Sequence, residues 1–196
     1  MPIPALTIDG VLPPFIGPEG PGGSSQDMTP YLVTAEEVVS RFGRTERRRE
    51  ILRGWLGYRA ALRAAGFVRG FQWVDGSFVE DKDPNDIDVM TFAYRPAILT
   101  DPTQRAAWVA QHANVLSRPA VKQQYEVDAF QVDLAGNPET LVTATRYYGA
   151  LFSHRRGDSL WKGMLSVRLE NAAEDQTALA AIPHSPVAVG TTEAAP

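Results

Sequence analysis

Asp86 and Asp88 stand one residue apart in Asp86-Ile87-Asp88-Val89-Met90-Thr91-Phe92, a segment whose β-branched and apolar residues predict a strand. Alternation along a strand puts both carboxylates on one face and turns Ile87 and Val89 to the other. Two like charges so close are unfavourable unless a cation lies between them or one takes up a proton. Oxygen-only ligands suit Mg²⁺, or Mn²⁺ in its place; Mg²⁺ keeps several waters and binds one or two carboxylates together with substrate phosphates. The chain has no cysteine and only three scattered histidines, which excludes disulfides, a thiol nucleophile and a thiolate zinc centre, so any metal rests on carboxylates. The next predicted strand offers Asp128 and Asp133 on opposite faces. Asp128 shares its face with Phe130 and Val132 as Asp86 and Asp88 share theirs with Met90 and Phe92, which favours Asp128 as the third carboxylate over Asp133 and Glu126.

Just upstream, Gly76-Ser77 follows a predicted strand where the backbone must turn. Glycine lets such a turn approach a phosphate closely, and the serine hydroxyl with neighbouring N–H groups can hold phosphate oxygens. Lys162 is a further candidate phosphate contact, while His154-Arg155-Arg156 reads as a basic surface turn. Ser77 lacks the glycine spacing of a hydrolase nucleophile elbow. Asp81 to Phe92 fails as a calcium loop of the EF-hand type, because Asp86 stands where glycine is needed and Phe92 where glutamate is needed.

The elements that must position these residues follow from periodicity and punctuation. Thr34-Ala35-Glu36-Glu37 fits a capping box, predicting a short helix ending near Phe42-Gly43. A second helix runs from about Thr45 to Ala65, with Ile51, Trp55, Tyr58 and Leu62 at helical spacing. Strands are expected over 67–75, 86–92, 125–134 and 160–169, and helices over 103–116 and 138–152. His112 reads as a packed histidine on the apolar side of the first of these, and Phe67, Phe71 and Trp73 as core. The pattern predicts an α+β fold, a mixed β-sheet flanked by helices. Residues 1–30 are rich in Pro and Gly and read as an extended arm; 31–170 form the working domain; 171–196 read as a disordered tail.

Asp75-Gly76-Ser77, eight further residues and then Asp86-Ile87-Asp88 resembles the strand, Gly-Ser turn and Asp-x-Asp strand of the polymerase beta-like nucleotidyltransferase superfamily, particularly its small stand-alone members. The resemblance spans about Ile51 to Leu134 and extends more weakly to Leu169. It implies a nucleotidyltransferase-like fold, Gly76 and Ser77 binding the triphosphate, Asp86 and Asp88 as metal ligands, and Asp128 as third ligand and base. The implied reaction moves a nucleoside monophosphate from a nucleoside triphosphate such as ATP to an acceptor hydroxyl on a protein, an RNA or a small molecule. The chain is also similar to short phage and bacterial proteins with an opening like Leu12-Pro13-Pro14-Phe15 and an ending like Trp161-Lys162-Gly163-Met164, which hints at a mobile-element or defence setting.

The net charge of −4 over 196 residues favours no partner class, but its distribution is uneven. From Arg41 to Arg69 nine arginines face two glutamates, and from Asp75 to Asp88 six acids face Lys82 alone. A basic helix running into an acidic loop supports a second reading: a non-catalytic binding module of the same fold, acting as an antitoxin or regulatory partner through Arg47, Arg48 and Arg49. No run approaches the length of a membrane span and the start lacks a leader pattern, so no membrane association and a cytoplasmic location are expected.

Overall fold

A computed structural model of the chain describes residues 3–183. Among these residues, five strands form one mixed sheet in the order β1-β5-β2-β3-β4. They are β1 (Tyr31–Val33), β2 (Gly70–Asp75), β3 (Ile87–Ala93), β4 (Val127–Asp133) and β5 (Leu165–Arg168). The helices are α1 (Ala35–Phe42), α2 (Glu46–Ala64), α3 (Pro102–Gln111), α4 (Ala113–Leu116), α5 (Arg118–Tyr125), α6 (Pro138–Phe152) and α7 (Ala172–Ala181). The fold is therefore α+β, a mixed sheet flanked by helices. No helix among the described residues is long and apolar enough to cross a membrane.

The Thr34 capping box closes as expected, with Thr34 Oγ1 accepting from Glu37 N and Glu37 returning a carboxylate oxygen to Thr34 N. α2 lies across one face of the sheet. Its buried Ile51, Leu52, Trp55, Leu56, Tyr58 and Leu62 form the main core with Val74, Ile87 and Val89. Trp55 and Arg59 both donate to the Gln72 side chain, which spends its amide on Thr91, so the polar groups at the centre of this face are satisfied. α6 covers the opposite face, where Phe152 and Tyr148 meet Met90, Phe92 and Phe130.

β3 and β4 are parallel, and the crossover between them carries α3, α4 and α5. The helix expected over 103–116 is two, divided at His112, which stacks on Trp108 at 4.1 Å as a packed histidine. α5 has Pro119 in its first turn and packs on α2 at Gly54, where a Cβ would stand 2.1 Å from the Tyr125 carbonyl oxygen.

One expectation about the ends of the domain needs correction. Residues 172–181, assigned to a disordered tail, form α7. Arg59 bonds both carboxylate oxygens of Asp175 at 2.7 and 3.0 Å, and Arg63 pairs with the same group at 2.7 Å, so a buried ion cluster pins the helix to α2. The remainder of that tail, 184–196, lies outside the described residues. The arm has no long element, only short 3-10 turns at Gly20–Gly22 and Ser25–Asp27, yet it is not a loose linker. Leu12 is fully buried in the main core, Gly163 N donates to the Leu12 carbonyl at 2.8 Å, and Phe15 packs edge-on to Trp161 at 5.7 Å. The Leu12-Pro13-Pro14-Phe15 and Trp161-Lys162-Gly163-Met164 segments thus meet in space.

Candidate functional site

β2 runs antiparallel to β3, so its C-terminal end meets the start of β3, and the parallel β4 starts beside it. This register places Asp75 opposite Asp88 and Asp88 opposite Asp128, three carboxylates in a row across three strands on the α6 face. Asp128, the expected third acid, is the one brought to Asp88. Its two competitors are engaged elsewhere. Glu126 accepts both 2.9 and 3.0 Å hydrogen bonds from Arg47, and Asp133, at the far end of β4, pairs with Arg95 at 2.6 Å.

The turn leaving β2 fits only glycine at its first position. Gly76 has φ of +77°, and a Cβ there would meet Asp88 Oδ2 at 1.9 Å. The Asp88 carboxylate therefore rests directly on the Gly76 backbone, with Ser77 the next residue in the turn. A cavity of about 190 Å³ opens here. Asp75, Glu80, Asp86 and Asp88 contribute its acids, and Lys82, His154, Arg156 and Lys162 its bases. His154 and Arg156, expected only as a surface turn, face the same space as the acids.

The acids of this cluster are each paired with a cation, with one exception. Asp128 accepts a two-point contact from Arg118, whose guanidinium also lies 4.3 Å from the Phe130 ring centroid, and this pairing holds the Asp128 carboxyl below its ordinary range. Asp86 pairs with Lys122. Lys162 is buried: its Nζ donates to the Gly76 carbonyl at 2.9 Å and to Glu80 at 3.1 Å, and lies 3.2 Å from Asp75 Oδ1. Burial raises the proton affinity of Glu80, but Lys82 and Lys162 outweigh it and hold that carboxyl low. Lys162, expected as a phosphate contact, lines the same cavity, with its ammonium bonded to the turn and its acids, which holds the Gly76 turn in place. Burial, with the neighbouring Asp88 charge, pushes Asp75 up to about 7 against the opposing pull of Lys162 and the Gly76 N–H.

Asp88 is the exception. Among the described residues it makes no hydrogen bond and no ion pair, and burial together with the Asp128 charge raises its carboxyl above the ordinary range. The oxygen donors of Asp88 and Asp128 are of the kind that a hard divalent cation such as Mg²⁺ would take. As the side chains stand, however, no group of three or more His, Asp or Glu among the described residues is gathered closely enough to hold a metal ion. Lys122 and Arg118, with side chains 42% and 55% exposed, occupy the cationic positions beside Asp86 and Asp128.

The basic helix does not offer the free surface its composition suggested. Arg48 is buried and donates to the carbonyls of Phe78, Glu80 and Lys82 at 2.6–2.7 Å, fixing the loop that leads out of the Gly-Ser turn. Arg49 and Arg53 both pair with Glu46, and Arg44 with Asp81. The expectation that Arg47, Arg48 and Arg49 form a partner surface is overturned for Arg48. Both Arg48 and Asp75 were missed as site residues. The signal for Asp75 was its place directly before Gly76 at the end of an apolar strand, whereas Arg48 sits in an arginine run that hides which member turns inward.

No curated protein and no solved structure matches the chain. Residues 4–168 match the family described as Family of unknown function (DUF6932), a span that takes in the arm and ends with β5. The chain belongs to the DUF6932 family.

Proposed function

We propose that this chain binds a nucleoside triphosphate against the Gly76-Ser77 turn and transfers its nucleoside monophosphate to an acceptor hydroxyl, releasing pyrophosphate. The observation that carries the reading is Asp88, a carboxylate without a partner, set beside Asp128 and resting on a glycine turn. Unpaired and perturbed acids in a cleft are retained where they are used. Ser77 and the N–H groups of the turn would hold phosphate oxygens, while Arg156, His154 and Lys82 bring positive charge to the polyphosphate. Asp88 and Asp128 would hold Mg²⁺ or Mn²⁺, with Asp86 joining them once parted from Lys122. When bound, the metal would lower the proton affinity of the attacking hydroxyl and stabilise the charge on the leaving pyrophosphate. On this reading Asp128, once parted from Arg118, would accept the hydroxyl proton as the bond to the α-phosphorus forms and the bond to the β-phosphate bridging oxygen breaks. A cytoplasmic setting, where triphosphate and Mg²⁺ are abundant, belongs to this proposal.

The test is transfer of label from α-labelled ATP, GTP, CTP and UTP, with Mg²⁺ or Mn²⁺, to the protein or to a cell extract. Asp88→Ala should abolish transfer while leaving the thermal midpoint near or above that of the parent, because it removes a raised carboxylate from beside Asp128. Transfer that survives in Asp88→Ala overturns the assignment.

One observation favours a second reading. Arg118 and Lys122 already neutralise Asp128 and Asp86, as side chains would in a non-catalytic binding module that needs no metal. That reading expects no label transfer with any nucleotide, and a stable complex with a protein or RNA that Asp88→Ala leaves intact.

A further inference from the structure

At the opposite end of β3 and β4 from the carboxylates lies a second cavity, of about 320 Å³. It is enclosed by the C-terminal ends of both strands, the end of α2 and the inner side of α3. Leu62, Phe67, Ala93, Leu99 and Val109 give it apolar side chains, Thr91 and Gln131 are polar members, and its charged members are Arg95, Arg105 and Asp133. Asp133 is spent on Arg95, whose Nε stands 2.6 Å from Oδ2, and on the backbone N–H of Ala135 at 2.8 Å. Arg105 donates through Nε to the Leu99 carbonyl at 3.1 Å and, among the described residues, makes no ion pair. An open cleft continues outward past the same Arg95 and Arg105 and adds Arg69, whose guanidinium lies 3.7 Å from the centroid of the Tyr94 ring. The mouth thus carries three guanidinium groups against one carboxylate that is already paired.

A second feature points the same way. Val109 is 42% exposed, and Val68 and Tyr94, which line the outer cleft, are also exposed large apolar side chains. Apolar surface gathered at the rim of a cavity marks a place where something is covered on binding. α3, which supplies Arg105 and Val109, buries only Trp108, packed at 5.9 Å on Phe67 of the cavity wall.

We propose that this cavity is a binding site for a small amphipathic organic anion, an apolar chain or ring seated among Leu62, Phe67 and Val109 with its carboxylate on Arg105. The volume is at the lower end of small-molecule pockets, which suits a short-chain or single-ring acid. A planar guanidinium presents the forked donors a carboxylate accepts, and burial of the ligand's apolar part supplies the remaining affinity. The site is separate from the carboxylate cluster and does not depend on its function.

The experiment is calorimetric titration of the full chain with octanoate, and with octylamine, octanol and acetate as comparisons. Octanoate should bind saturably, octanol more weakly, and acetate and octylamine not measurably. Arg105→Ala, an exposed position on α3, should weaken octanoate about tenfold, the loss of one charge-assisted contact. Arg146→Ala, which removes the same charge from the exposed side of α6, should leave the affinity unchanged, as should Asp88→Ala. Tryptophan fluorescence gives an independent readout, since Trp108 packs on the wall. The proposal is overturned if octylamine binds as tightly as octanoate, if Arg105→Ala and Arg146→Ala lose affinity equally, or if octanoate produces neither heat nor a fluorescence change.

Discussion

Gly76→Ala perturbs the contact on which the carboxylate site is built, and its cost separates into two parts. The backbone at Gly76 has φ of +77°, a conformation that costs an L-residue about 1–2 kcal/mol. The added Cβ would stand 1.9 Å from Asp88 Oδ2 and 2.9 Å from Cγ, so the carboxylate must swing away or the strands must part. Overpacking of this kind costs about 1–3 kcal/mol, for a total of about 2–5 kcal/mol. Asp88→Ala keeps the Cβ, which lies 3.2 Å from the new methyl, a tight contact relieved by a shift of a few tenths of an ångström, and removes the two atoms that collide. In that background Gly76→Ala should retain only the backbone cost, leaving a coupling of about 1–3 kcal/mol between the two positions. Urea unfolding followed by tryptophan fluorescence on the parent, both single variants and the double variant measures it directly. Strict additivity, or a Gly76→Ala cost below about 0.5 kcal/mol, would refute the claim that Asp88 rests on this glycine.

Three further outcomes follow from groups placed outside their ordinary environments. Asp75 is raised from its ordinary 3.8 to about 7, so the native state holds a proton that the unfolded chain has released. Stability from this group is therefore present at low pH and lost as pH rises through that window, by at most ~4 kcal/mol; urea unfolding of Asp75→Asn across the window should lack the downward slope that the parent has. Asp175→Ala should cost about 3–5 kcal/mol in the same assay, because it leaves the fully buried Arg59 guanidinium without its carboxylate. Leu12→Ala should cost about 2–5 kcal/mol, although it lies in the Pro/Gly-rich arm, because Leu12 is a fully buried core residue. A value near zero would mean the arm does not pack as described.

The elements that carried strong periodicity or a capping signature were legible in the sequence, and those held by long-range polar contacts were not. α1 and α2 begin at the Thr34 and Thr45 caps where the composition places them, and β3 and β4 alternate as their residues require. The choice of Asp128 over Asp133 followed from face alternation alone, and parallel pairing of β3 with β4 turns that shared face into the opposition of Asp88 and Asp128. α7 was illegible because its inward residues are Asp175 and Ala178, whose burial depends on arginines more than a hundred positions away. The partners of Lys162 were illegible for a related reason. A lysine near a phosphate-like turn suggests a phosphate contact, but its partners Asp75 and Glu80 lie some eighty residues earlier in the chain, and only the folded chain puts its ammonium between them. The arginine run misled in the opposite direction, since its members are absorbed by carbonyls and glutamates of the same molecule.

The balance of charge around the turn bears on what Asp88 is for. Asp128 has Arg118, Asp86 has Lys122, and Asp75 and Glu80 share Lys162, so four acids are each held beside a cation. Asp88 makes no ion pair, and burial with the neighbouring Asp128 raises its carboxyl against the longer-range attraction of Arg156, Lys162 and Arg118. If the cluster were only structural, asparagine at 88 would fill the same space without the repulsion, and stability alone would favour it. A site that receives a cation together with a polyanion has the opposite requirement: a carboxylate left open toward the cavity, with its neighbours already neutralised so that the incoming phosphates are not repelled. The arrangement of Lys162 beneath the turn, Arg156 at the rim and Asp88 open between them meets that requirement. Metal-dependent nucleotide binding lost in Asp88→Asn, accompanied by a gain in thermal midpoint, is the pair of results expected of an acid kept for function at the expense of stability.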